Sequence, residues 1–147
     1  MDKVFEIFGW IDNSLKFDAA EKDQVFRRRT ASQIIEDGFY TGCTDKTLVF
    51  LVLARACLIP AEYVELLDKS WLENADNDQI KGHVIAAVSL DGKQYFVDPT
   101  YSSVSTKITP GTVPMAHGND SWDIGITAEN WQEKFKGFKR SWLDRKK

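Results

Sequence analysis

Three side chains in this sequence have the means for thiol chemistry: Cys43, His83 and Asp98. Cys43 stands in Gly42-Cys43-Thr44-Asp45, where the turn Gly38-Phe39-Tyr40-Thr41 gives way to an apolar run from Leu48 to Ile59. This predicts a thiol at the N-terminus of a buried helix. Unpaired backbone N–H groups and the helix dipole favour negative charge there, so they stabilise a thiolate. His83 opens a predicted strand in Gly82-His83-Val84, and Asp98 closes the next in Val97-Asp98-Pro99. In such a set the thiolate attacks a carbonyl and the imidazole gives a proton to the leaving amine. The carboxylate fixes the imidazole's tautomer and supports its charged form. The N–H of Cys43 is placed to hold the oxyanion with one further donor. Trp10 and Gln33 are the candidates for that donor.

The hairpin between the two strands tests this grouping. Asp91-Gly92 lies between the apolar runs 84–90 and 94–97, a strong signal for a two-residue type I′ turn. Leu90 then faces Lys93, Ile85 faces Asp98 and His83 faces Thr100. Side chains alternate with period 2, so His83 and Asp98 project from one face. They form a diagonal pair with β-carbons about 7 Å apart or somewhat less, within reach of a hydrogen bond.

Other elements must position these groups. Residues 1–10 carry Val4, Phe5, Ile7, Phe8 and Trp10, an apolar cluster expected to dock on the core. Residues 19–36 read as one helix ended by Gly38. The helix from Cys43 is apolar all round, hence central, and is stopped by Pro60. Residues 61–67 read as a strand of imperfect alternation. Lys69–Lys81 reads as a polar insertion in which Trp71 is either a flap over the site or ordinary packing. Residues 99–121 read as loop with a little strand, and the tail from Thr127 as an amphipathic helix with Trp131, Phe135, Phe138 and Trp142 on one face. The order predicts an α+β fold in one domain, 1–147, with an antiparallel sheet packed on a central helix.

Bulk properties exclude several classes. A net charge of −3 gives no general attraction to nucleic acid or anionic membrane, and the Arg27-Arg28-Arg29 run reads as a solvated helix face. No segment reaches membrane-spanning length, and no signal peptide is visible at Met1. Cys43 and Cys57, at the two ends of one helix, stand about 21 Å apart, too far for a disulfide. Two free thiols fit a reducing compartment, and the expected location is cytoplasmic. Cys57 reads as core packing and His117 as a loop residue. A zinc site from Cys43, His83, Asp98 and His117 lacks the usual Cys-x-x-Cys or His-x-x-x-His spacing, so no metal or other cofactor is expected.

Three blocks of sequence resemble the transglutaminase-like superfamily of papain-type thiol enzymes. Thr41-Gly42-Cys43-Thr44-Asp45 followed by Leu53-Ala54-Arg55-Ala56-Cys57-Leu58-Ile59-Pro60-Ala61 resembles its Gly-x-Cys helix and Arg-Ala-x-Gly-Ile-Pro-Ala-type turn. Gly82-His83-Val84 resembles its histidine strand, and Tyr95-Phe96-Val97-Asp98-Pro99-Thr100 its Asp-Pro-Thr strand end. With Arg29-Thr30-Ala31 upstream, the resemblance covers about residues 27–101. Two positions depart from the pattern. Leu58 replaces a glycine in the turn, and Val84 follows the histidine where many members have Ala-Trp. The resemblance implies a papain-like, transglutaminase-core fold, with Cys43 as nucleophile, His83 as base and Asp98 as orienter. It implies hydrolysis or transfer of peptide, protein or other amide bonds through a thioester. The alternatives are a protein-glutamine transglutaminase acting on amine acceptors and a non-catalytic binding module on the same fold.

Overall fold

The helix that begins at Cys43 is the axis of the molecule. In the computed structural model, which describes residues 1–147, the elements run as follows. First come α1 (Asp2–Ser14), β1 (Lys16–Phe17), α2 (Lys22–Val25), α3 (Ala31–Asp37), β2 (Phe39–Tyr40) and α4 (Cys43–Ala56). Then follow β3 (Ala61–Asp68), α5 (Lys69–Glu73), β4 (Gly82–Leu90), β5 (Lys93–Asp98), β6 (Ser103–Ser105), β7 (Thr112–Gly118) and α6 (Trp131–Arg145). Five strands form an antiparallel sheet in the order β6-β5-β4-β3-β7, and α4 lies across β3 and β4. On its other side α4 meets α1 and α3. The expected α+β arrangement is therefore present.

Burial explains which residues built it. Val49 and Phe50 of α4 are fully buried against Val4, Phe8 and Ile11 of α1, Ile34 of α3, and Tyr63, Val84 and Ala86 of the sheet. Phe5 and Trp10 remain exposed, since one face of α1 is enough to cover the core. The sheet's other face carries a smaller cluster of Val64, Leu66, Ile85 and Ala87. Being covered on both sides, β3 has no polar face to alternate with, which accounts for its irregular pattern. A third cluster joins Leu67, Trp71 and Leu72 to Ile126 and Phe135, docking α6 on α5 as its aromatic stripe predicted.

The single helix expected over 19–36 is two short ones. Arg27 takes a left-handed φ of 58° between them, and α3 starts afresh at a Thr30–Gln33 capping box. The arginine run therefore lies on no single helix face. Arg27 and Arg29 are buried, and only Arg28 is solvated, pairing with Glu129. The 99–121 segment is also more ordered than expected. Seven of its residues form β7 on the edge of the sheet, where Pro114 lacks only a donor that an edge can spare.

The end of α4 is a Schellman motif. Leu58 N–H reaches the carbonyl of Arg55, and Ile59 N–H that of Ala54. Leu58 occupies the left-handed position, φ 62°, with its side chain 91% exposed. Cys57, just before it, is exposed and free. The core-packing role expected for that thiol is overturned, because the helix cap turns it outward.

Candidate active site

The first turn of α4 is anchored by buried polar groups, and this fixes Cys43. Asp45 accepts the N–H and the hydroxyl of Thr41 at 2.8 and 3.0 Å, and Nη2 of Arg29 at 2.9 Å. Lys46 reaches Asp12 at 3.2 Å. Thr47 donates its hydroxyl to the carbonyl of Val84 at 3.2 Å, tying the helix to the residue after His83. A fully buried hydroxyl without a partner would be costly, so this bond sets how α4 sits on β4. Gly82 allows the approach on the other side. A β-carbon there would stand 2.8 Å from the carbonyl oxygen of Leu66.

The hairpin has the register read from the sequence. Leu90 pairs with Lys93 and Ala86 with Val97. Asp91 and Gly92 have φ of 51° and 77°, as a type I′ turn requires. The result is a hydrogen bond of 2.7 Å between Nε2 of His83 and Oδ2 of Asp98. Asp98 is itself held, its Oδ1 accepting the N–H of Thr100 at 3.0 Å. With Nε2 given to the carboxylate, Nδ1 is the ring nitrogen left for Cys43. Tyr101 lies over the imidazole on the solvent side, ring centres 5.9 Å apart.

Cys43 and His83 line one cleft of about 210 Å³. Burial of the imidazole opposes its charged form. The hydrogen bond that the ring donates to Asp98 and the influence of the nearby Cys43 sulfur outweigh that, with the charge of Asp98 added, and raise the pKa to about 10. The ring is thus an imidazolium at neutral pH, set between a carboxylate and a sulfur. Phe26, Trp131 and Phe135 form an aromatic wall of the cleft, and Arg27 and Glu65 also line it.

Those last two were not singled out from the sequence. Arg27 grips Glu65 through two bonds of 2.8 and 3.1 Å, and the Tyr63 hydroxyl donates to the same carboxylate at 3.1 Å. All three are buried, and burial together with Glu65 holds the Tyr63 phenol well above its usual range. An acid inside the apolar stretch 61–67 was the signal, since a buried carboxylate needs a cation and the chain must supply one.

The remaining candidates lie elsewhere. Trp10 is an exposed residue of α1 outside the cleft. Gln33 spends its side-chain oxygen on the N–H of Thr30 in the capping box and does not line the cleft either. The structure brings neither to Cys43 as an oxyanion donor. Trp71 is 1% exposed in the α5–α6 core, its Nε1 bonded to the carbonyl of Asn77, so it is packing and not a flap. His117 sits on β7 and pairs with Glu62 at 2.8 Å, so the four groups weighed for zinc do not converge. No helix is long and apolar enough to cross a membrane.

The sequence model described as Transglutaminase-like superfamily matches residues 1–99. Among curated proteins, none matches. Among solved structures, a candidate cysteine protease from Cytophaga hutchinsonii has a TM-score of 0.59 at 22% identity, over 84% of this chain and 38% of that one. This chain thus spans well under half the length of that protein. LapG of Legionella pneumophila has a TM-score of 0.59 at 12% identity, over 92% and 76% of the two chains. Its calcium-bound form gives 0.56 at 11% identity, over 99% and 80%. At such identities the likeness is one of fold.

Proposed function

Since the chain belongs to the transglutaminase-like superfamily, we propose that it is a cysteine-dependent hydrolase of peptide or protein amides. The observation that carries this reading is the 2.7 Å bond between His83 and Asp98 beside the thiol of Cys43. Cys43 thiolate adds to the amide carbonyl, and the N–H groups at the start of α4 face the developing oxyanion. The imidazolium of His83 gives its proton to the leaving nitrogen, the C–N bond breaks and a thioester remains. Water then gives a proton to His83 and its oxygen to the acyl carbon. The acid departs and thiolate and imidazolium are restored. Asp98 holds the ring in the required tautomer throughout.

Hydrolysis is preferred over transfer to an amine because Cys43 is partly open to solvent, which favours water as the acceptor. The protease description of the Cytophaga neighbour supports the same preference. The test is mass spectrometry of the protein after exposure to a library of peptide amides. A thioester adduct on Cys43, absent from Cys43→Ala, is expected. Turnover retained by a folded Cys43→Ala variant would remove Cys43 as the nucleophile.

A further inference from the structure

The cleft holds one cation that its own carboxylates do not neutralise. Arg27 is spent on Glu65, and His83 on Asp98. Lys22 lines the same cleft and forms no ion pair. Its ammonium lies 3.9 Å from where a β-carbon on Gly42 would stand, directly before the nucleophile, and 5.4 Å from the ring centre of Phe26. The start of α4 beside it has no side-chain cap. Arg27, 4% exposed, presents a second feature, an Nε with no partner. The cleft therefore combines an aromatic wall with one unpaired cation, the Lys22 ammonium.

We propose that Lys22 is a specificity-determining residue that selects substrates carrying a carboxylate close to the scissile amide. The proposal rests on Cys43 being the nucleophile of this cleft. An exposed ammonium at such range attracts an anion modestly and in a salt-dependent way. One unit charge a few ångströms away in water supplies about a threefold to fivefold preference. The carboxylate has two possible sources, an acidic side chain in the chain being cut or the free C-terminus of a short peptide.

The test compares alkylation of Cys43 by iodoacetate and by iodoacetamide at low salt, with Cys57 as the internal reference. The iodoacetate-to-iodoacetamide rate ratio at Cys43 should exceed that at Cys57. It should fall about threefold to fivefold in Lys22→Gln and be retained in Lys22→Arg. The imidazolium attracts iodoacetate too, so the decisive quantity is the change on substitution at Lys22. Protection of Cys43 from iodoacetamide by N-acetyl-glutamate amide or by N-acetyl-alanine, with N-acetyl-glutamine amide as neutral control, identifies the source. A ratio unmoved by Lys22→Gln, or protection by neither acid, overturns the inference. Failure of the underlying reading looks different: Cys43 would then react with iodoacetamide no faster than Cys57.

Discussion

Two opposed effects meet at His83. Desolvation disfavours the charged ring, and its bond to Asp98 and the nearby Cys43 favour it more, leaving the pKa at about 10. Asp98→Asn removes the largest of the raising effects. The descending alkaline limb of the pH–activity profile should therefore move from near pH 10 toward neutrality, with the loss falling on kcat more than on KM. A limb that stays in place would mean that Asp98 does not govern the proton on the ring. The His83–Asp98 pair was legible because an Asp-Gly turn fixes register and register fixes faces, a purely local inference. Lys22, Arg27 and Glu65 were not legible as neighbours. Nothing local says that residues 38 apart form a bidentate ion pair. The oxyanion partner failed for a related reason. Gln33 is claimed by its own helix cap, and the Thr30-x-x-Gln33 spacing carried that signal in the sequence.

Among the elements, α4 is the one on which the site depends, and its two ends show different chemistry. The start is fastened by Asp45, Lys46 and Thr47, all buried polar residues that a purely apolar reading of the helix passes over. The end is a Schellman turn that places a leucine in the left-handed region. A left-handed conformation costs a non-glycine residue about 1–2 kcal/mol, and glycine's added freedom in the unfolded chain returns about 0.5–1 kcal/mol of that. Leu58→Gly should therefore stabilise the protein by up to about 1.5 kcal/mol, since the exposed side chain contributes little. In thermal unfolding the midpoint should rise by about 2–4 °C per kcal/mol at this size, and a lower midpoint would contradict the strain argument. The helix from Cys43 was readable from its apolar run and flanking Gly42 and Pro60. The break at Arg27 was not, because a positive φ at an arginine leaves no mark in composition.

For the whole molecule, the layers were predictable from the order of helices and strands, while the partner chosen by each face was not. The apolar stretch of β3 suggested a strand without revealing that both its faces are covered. The imidazolium links the site to global stability. Its folded pKa, about 10, lies above the unfolded value of 6.5. The stability it contributes is fully present below pH 6.5 and is lost as pH rises through about 10. In denaturant titrations the advantage of the wild type over His83→Gln should shrink across that window, and an advantage that grew with pH would reverse the sign. The proposed chemistry requires Cys43 to react as a thiolate beside the imidazolium of His83. Iodoacetamide labelling at pH 6, read separately at the two cysteines, measures it. The prediction is that Cys43 reacts much faster than the more exposed Cys57, and that His83→Gln brings the two rates together. Equal rates in the folded wild type, or a fast Cys43 that does not need His83, would contradict it.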